Sequence, residues 1–151
     1  MKKRLLAVLC AAAAILALTG CGGSKKVSYK DGTYEGQSQI YENEDEDSEE
    51  GNGYGVVKIT IKDNAVTECE FLTYEPDGTL KGEEYGKKSG GVANRDYYNK
   101  AQKAVAACEE YANQLVMNGS LDGIDAISGA TINYNEFKEA VTEALSKAKA
   151  S

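Results

Sequence analysis

The sequence predicts an α+β fold, in which a small antiparallel sheet with a β-hairpin packs against two helices. A run of alternating apolar and polar residues turns back on itself at Asp63 and Asn64, which is typical of a hairpin. Two later segments, residues 95–118 and the residues after 131, repeat apolar positions at helical spacing. Because the strands precede the helices along the chain, an antiparallel sheet is favoured over alternating βαβ units.

Residues 1–20 have the layout of a signal peptide, with basic residues at positions 2–4 before the apolar run Leu5–Leu18. This run is shorter than the roughly 20 apolar residues that a membrane span needs. It ends in Leu18-Thr19-Gly20-Cys21, which resembles the bacterial lipobox, so Cys21 is expected to begin the mature protein and to carry lipid. An ordinary cleaved signal with an incidental cysteine is the alternative. Residues 21–28 would form a flexible tether.

Two acyl chains on one cysteine anchor a protein stably, which predicts a lipid-anchored location on the extracytoplasmic face of the cell membrane. Without residues 1–20 the chain has 14 basic and 24 acidic residues, a formal charge near −10. Such a surface repels nucleic acid, so no nucleic-acid partner is expected. The many carboxylates form no constellation that would support a hydrolase.

Composition excludes several kinds of site. The chain has no histidine, which excludes Ser–His–Asp catalysis, histidine-ligated haem and the usual His-bearing zinc sites. Cys10 leaves with the signal peptide and Cys21 would be lipidated, so Cys69 and Cys108 remain. These two either form a disulfide or stay as small buried thiols. No C-x-x-C spacing supports an iron–sulfur or thioredoxin function, and no metal site is predicted.

The first strand is predicted over Thr33–Tyr41, after a turn at Asp31 and Gly32. An acidic run at residues 42–50 follows it. A calcium loop needs spaced oxygen ligands, whereas these carboxylates are contiguous. A solvated, mobile loop is therefore favoured, because blocks of like charge repel.

The hairpin strands are predicted over Val56–Lys62 and Ala65–Tyr74, joined by the turn at Asp63 and Asn64. Their core face should carry Val57, Ile59, Ile61, Cys69 and Phe71. A Gly-rich basic segment at residues 86–91 lacks the spacing of a Walker phosphate loop. As a flexible loop, it could bring Lys87 or Lys88 to a flavin phosphate or a partner.

A long helix is predicted over Arg95–Asn118, with Asn94 as its cap and Gly119 as its stop. Its apolar stripe comprises Tyr97, Ala101, Ala104, Val105, Cys108, Ala112, Leu115 and Val116. A second helix is predicted to begin just after Thr131, with Phe137, Val141, Ala144, Leu145 and Ala148 at its apolar positions.

The turn between these helices, residues 124–131, is the most informative stretch. Gly129 can adopt a positive φ, and the unpaired N–H groups of such a turn, with the helix dipole, form a local anion site. The hydroxyl of Thr131 would lie at its edge. The alternative is an ordinary helix start capped by Ser, Thr and Asn.

The motif Asp125-x-x-Ser128-Gly129-Ala130-Thr131 resembles the flavinylation motif of the FMN-binding domain family, which includes subunits of the sodium-pumping quinone reductase and of Rnf-type complexes. The resemblance implies that Thr131 carries FMN through a phosphoester bond installed by an FAD:protein FMN transferase. The other cofactor-binding positions it implies are Asp125, Ser128, Gly129 and Ala130. Residues 31–36 also match the opening strand of the family, and the resemblance assigns residues 29–151 to an FMN-binding domain.

The resemblance implies an electron-transfer carrier rather than a stand-alone catalyst, with no catalytic residue and with membrane redox proteins or quinone-linked donors as partners. Tyr54, Tyr85 and Tyr98 are candidates to stack on the flavin, because they lie in or beside loops. Asn133 stands where many members have Ser or Thr, although Asn is also a good helix cap. This departure favours the alternative, an anchored non-redox binding protein that keeps the fold without flavin.

Overall fold

The computed structural model describes residues 27–45 and 50–150. The predicted signal peptide, Cys21, most of the tether and residues 46–49 of the acidic run lie outside them. The elements, in chain order, are β1 (Gly32–Gln37), β2 (Tyr54–Lys62), β3 (Ala65–Tyr74), α1 (Arg95–Asn118) and α2 (Thr131–Ala148). The predicted α+β fold is confirmed. Neither α1 nor α2, the helices of the described residues, has the length and apolar character of a membrane span.

The strands form one antiparallel sheet in the order β1-β2-β3. Asp63 and Asn64 both have positive φ, 51° and 64°, as the two-residue turn of a tight hairpin requires. The predicted hairpin is therefore confirmed. The first strand is shorter than predicted and ends at Gln37, because the hydroxyl of Ser38, rather than a backbone carbonyl, accepts the N–H of Gly55 at 2.9 Å.

One face of the sheet packs against both helices and forms the core. The strands contribute Val57, Ile59, Ile61 and Phe71, all at most 3 % exposed. The ring of Phe71 lies 5.0 Å from that of Phe137 on α2. Cys108 is buried and Cys69 half-buried, and both are free thiols. Of the two alternatives for these cysteines, the structure therefore has separate thiols.

Both predicted ends of α1 are confirmed. The side chain of Asn94 accepts the N–H of Tyr97 at 3.1 Å. Gly119 has a φ of 70°, and its N–H donates to the carbonyl of Leu115 at 2.8 Å, which closes the helix in the left-handed conformation that glycine favours. Tyr111 is completely buried in the core.

Helix α2 lies directly across β1, and the two backbones are close at Gly36. A Cβ at that position would be 2.0 Å from the carbonyl oxygen of Ala140, so only glycine permits the contact. Three charged side chains of α2 bind backbone groups of this chain segment: Glu139 accepts the N–H of Gln39, Glu143 accepts the N–H of Gln37, and Lys147 donates to the carbonyl of Glu35. These bonds occupy backbone groups at the edge of the sheet.

Candidate functional site

A cavity of about 420 Å³ lies at the N-terminal end of α2, between the turn that precedes this helix, α1 and the segment after β3. It is lined by Glu50, Gly51, Thr73, Lys81, Tyr85, Tyr97, Lys100, Ala101, Lys103, Ala104, Val105, Gly129, Ala130, Thr131, Ile132 and Asn133. Three of the five predicted cofactor-binding residues, Gly129, Ala130 and Thr131, are therefore at the cavity. Asp125 and Ser128 are exposed residues of the same turn that do not line it.

Two tyrosine side chains, the buried Tyr111 and the half-buried Tyr134, hold the turn in place. The hydroxyl of Tyr111 accepts the N–H of Ile127 at 2.7 Å and donates to the carbonyl of Ala130 at 3.2 Å. The hydroxyl of Tyr134 donates to the carbonyl of Ile124 at 2.7 Å. The two rings lie 5.7 Å apart, so one aromatic pair fixes both ends of the turn. Sequence reasoning missed this role, because a tyrosine in an apolar helical stripe has the same pattern as any core residue.

The start of α2 leaves its positive end open to the cavity. Its capping position is Ala130, no side chain caps it, and no acidic residue lies in its first turn. The first N–H groups of a helix have no partner within the helix, and they carry partial positive charge. Thr131 is the first residue of α2 and is exposed. An anion at this end of the cavity would therefore meet both the helix amides and the hydroxyl of Thr131.

Lysines of α1 add positive charge at the same end. Lys100 and Lys103 both line the cavity. A Cβ at Gly129 would lie 3.6 Å from Cδ of Lys103, so the Lys103 side chain passes beside the turn. These residues carried no signal in the sequence, because exposed lysines are usual on a helix. The sequence instead suggested Lys87 or Lys88 for the flavin phosphate. Neither of them lines the cavity, and Lys87 pairs with Glu84 at 2.7 Å.

Aromatic side chains form another part of the wall. Of the three predicted stacking candidates, only Tyr85 lines the cavity. Tyr54 stacks on Tyr74 instead, with ring centroids 5.5 Å apart, and Tyr98 donates to the carbonyl of Glu83. Tyr97 is the aromatic that sequence reasoning missed. Burial, followed by the neighbouring Tyr97, raises the pKa of Tyr85, so its hydroxyl stays neutral.

Two charged residues near the cavity are buried: Lys81, which lines it, and Glu136, which does not. Lys81 is 6 % exposed, and its Nζ donates to the carbonyl of Gly51 at 3.1 Å and lies 5.1 Å from the ring centre of Tyr85. Glu136 is 3 % exposed, and neither of its carboxylate oxygens has a hydrogen-bond partner. Burial raises the pKa of Glu136 to about 7, against the opposing effect of Lys81. Burial also lowers the pKa of Lys81.

Asn133 does not cap α2, which corrects the cap interpretation of this residue. It is buried in the first turn of the helix, and its Nδ2 donates to the carbonyl of Ala104 at 3.2 Å and to Sγ of Cys108 at 3.3 Å. A side chain that satisfies groups of the neighbouring helix is needed for packing. Asn133 therefore joins α2 to α1 beside the cavity.

No cluster of three or more His, Cys, Asp or Glu residues that could hold a metal ion occurs in the part of the chain that the structure describes. The donors at the cavity are instead lysine ammonium groups, helix amides and aromatic rings. This set suits an organic anion with a flat ring system.

Comparison with known proteins identifies the family of the chain and a solved structure with a similar fold. No curated protein matches the chain. A crystal structure titled as that of CPE2226 protein from Clostridium perfringens is similar in fold, with a TM-score of 0.55 over 80 % of this chain and 88 % of the other, at 21 % identity. The profile of the FMN-binding domain family matches residues 51–146, which include β2, β3, α1 and the motif turn. The chain belongs to the FMN-binding domain family.

Proposed function

We propose that this protein is an electron-transfer carrier that holds FMN covalently, through a phosphoester bond to the hydroxyl of Thr131. The observation that carries the proposal is the position of Thr131: it is exposed, it begins a helix without a cap, and it lies at the cavity. Membership of the FMN-binding domain family supplies the identity of the ligand.

The residues at the cavity fit FMN. The phosphate would be held by the amides of the α2 start and by Lys100 and Lys103. The ring system would find Tyr85 and Tyr97 together with apolar side chains of α1. A volume of about 420 Å³ lies within the usual range of ligand pockets.

Attachment is a group transfer from FAD by an FAD:protein FMN transferase. The Thr131 oxygen forms a bond to the phosphorus of the FMN half, the pyrophosphate bond of FAD breaks, and AMP leaves. The hydroxyl proton passes to a base of the transferase or to solvent. The chain supplies an accessible hydroxyl, held by a turn that Tyr111 and Tyr134 fix.

Bound FMN supplies reversible electron uptake, and the protein supplies its orientation and electrostatic environment. We also propose that Cys21 anchors the chain on the outer face of the cell membrane and that membrane redox proteins or quinone-linked donors deliver electrons to it. A covalent bond is useful in that location, because no cytoplasmic flavin pool is present to replace a cofactor that dissociates.

The test is the intact mass of the protein after co-expression with the transferase. Wild type should gain the mass of FMN less water and become yellow, and Thr131→Val should not. Thr142→Val is the matched control, because Thr142 is another exposed threonine of α2 and should leave the mass gain unchanged. A wild-type protein without FMN, beside a known substrate that the same transferase does modify, would overturn the proposal.

The alternative function is an anchored binding protein that keeps the fold without flavin, and its sequence argument was Asn133. The side chain of Asn133 joins α2 to α1 beside the cavity, so its packing role accounts for its presence there.

A further inference from the structure

Glu136 is the one residue, among those the structure describes, whose buried side-chain oxygens lack any hydrogen-bond partner. A buried carboxyl group without partners is unfavourable when it is ionised. Natural proteins rarely keep such a group, and each example needs an explanation. Neither the attachment of FMN nor the packing of the core explains why the carboxyl group of Glu136 is buried without a partner.

Among the described residues, Lys81 is the cation that acts on Glu136. From β2, Glu136 meets Gly55, where an added Cβ would lie 3.0 Å from Cβ of Glu136. From α1 it interacts with the Cys108 thiol, and from its own helix with the Glu139 carboxylate. The segment after β3 supplies the ammonium group of Lys81, which Glu75 also influences.

Lys81 connects this buried carboxyl group to the cavity. Its side chain lines the cavity, and its Nζ is bound to the carbonyl of Gly51, another lining residue. Its charge also favours the ionised form of Glu136. Any negative charge added in the cavity would therefore compete with Glu136 for the same ammonium group.

We propose that Glu136 takes up a proton when FMN in the cavity is reduced, and that Lys81 couples the two events. This inference rests on the proposed function. Two-electron reduction by an electrode or a redox partner would leave one negative charge in the cavity where a single solvent proton accompanies the two electrons. Where negative charge remains in the cavity, the carboxylate of Glu136 forms an O–H bond with a further solvent proton and becomes a neutral acid. Oxidation of the flavin releases the same proton.

The electrostatic state of Glu136 supports this assignment. Its pKa is raised to about 7 by burial, so near neutral pH both protonation states are populated and a small change in the local field shifts their ratio. The neighbouring Glu139 is exposed on the same helix and serves as the matched control.

The first test uses the flavin-free protein, in which the Glu side-chain carbons are followed by ¹³C NMR as pH is varied. We expect one carboxyl group to titrate well above the ordinary glutamate pKa of about 4.3. That signal should be missing in Glu136→Gln and present in Glu139→Gln. If every glutamate titrates in the ordinary range, the inference is overturned without any reference to flavin.

The second test measures the midpoint potential of the flavin-loaded protein by electrochemical titration at several pH values. Between pH 6 and 8, the potential of wild type and Glu139→Gln should fall with pH more steeply than that of Glu136→Gln. Lys81→Met should also lose the extra slope, because without its cation Glu136 stays protonated in both redox states. Equal slopes in wild type and Glu136→Gln would overturn the inference while leaving the proposed function intact. If Thr131 gains no FMN at all, the proposed function fails, and the coupling fails with it.

Discussion

The two parts of α2 differ in how their charged side chains are used. In residues 139–148, the docking half, Glu139, Glu143 and Lys147 all bind backbone groups in or next to β1. In residues 131–138, the functional half, the helix has no side-chain cap, and the buried Glu136 has no hydrogen-bond partner. Because a buried carboxyl group without partners is unfavourable, Glu136 distinguishes the functional half from the docking half.

Cavity size alone would have indicated the wrong end. The groove beside the docking half is the larger, about 920 Å³ against about 420 Å³. Two of its three carboxylates, those of Glu139 and Glu143, already accept amide N–H groups. The smaller cavity is the one with an uncapped helix start and the exposed Thr131, the residue proposed for FMN attachment. The availability of polar groups, rather than volume, therefore identifies the site.

The largest effect that would sharpen this comparison is expected from Gly36→Ala in the docking half. The added methyl would lie 2.0 Å from the carbonyl oxygen of Ala140, so strand and helix must separate. We expect a loss of about 3 kcal/mol in the free energy of unfolding, the upper part of the usual range for overpacking, measured by urea denaturation. Gly82→Ala, where nothing lies within 4 Å of the added methyl, should change stability far less. A stable Gly36→Ala variant would show that the helix can shift on the sheet.

The next prediction concerns pH: the contributions of Glu136 and Glu143 to the free energy of unfolding should change with pH in opposite directions. Glu136 has its pKa raised from 4.5 to about 7, so the folded state binds its proton more tightly. Stability from this group is fully present below pH 4.5 and is lost as pH rises to 7, by up to about 3 kcal/mol. The N–H of Gln37 and then Lys147 lower the pKa of Glu143, so its contribution is lost as pH falls instead.

Urea denaturation of the flavin-free protein between pH 5 and 8 measures the Glu136 effect. Wild type should lose stability over this interval, and Glu136→Gln should lose less of it. Glu143→Gln is the control, because Glu143 is ionised throughout the interval in the folded and the unfolded state, and it should keep the wild-type slope. The same slope in all three proteins would contradict the difference between the halves.

The sequence predicted local features of the fold better than the residues that complete the site. The ends of α1 at Asn94 and Gly119 follow from local capping rules, as does the turn at Asp63 and Asn64. Thr131 was found because its motif is contiguous in the chain. These features depend on neighbouring residues, which a single sequence displays directly.

The residues that complete the site come from distant parts of the chain. Lys81 follows β3, and Lys103 lies on α1, so no local pattern brings them to Thr131. Glu136 did leave a signal. It lies three residues after Asn133 and four before Ala140, both buried, so a charged residue interrupts the apolar side of an amphipathic helix. The helical pattern therefore predicts that this carboxyl group is buried.

A smaller effect is expected from Gly129→Ala at the functional end. Gly129 has a φ of 84°, but the nearest atom to an added methyl would be Cδ of Lys103 at an ordinary 3.6 Å. We therefore expect only the backbone penalty, about 1 kcal/mol, together with slower FMN attachment measured by intact mass. Gly123→Ala is the control, with a φ of 81° outside the cavity lining, and it should lose similar stability but keep full attachment. Equal attachment in both variants would show that the transferase does not read the shape of the turn.

The smallest effect is expected from Lys147→Met, which removes from the docking half an ion pair and an exposed hydrogen bond to the carbonyl of Glu35. Nζ of Lys147 lies 3.0 Å from Oε1 of Glu143, and the two side chains are 51 % and 44 % exposed. Solvent-exposed pairs contribute about 0.2–1 kcal/mol, because water and salt screen them. We expect urea denaturation to give a loss within this range that shrinks at high salt, with FMN attachment unchanged. A reduced mass gain in this variant would mean that the docking half controls the start of α2, and the two halves would then have to be treated as one unit.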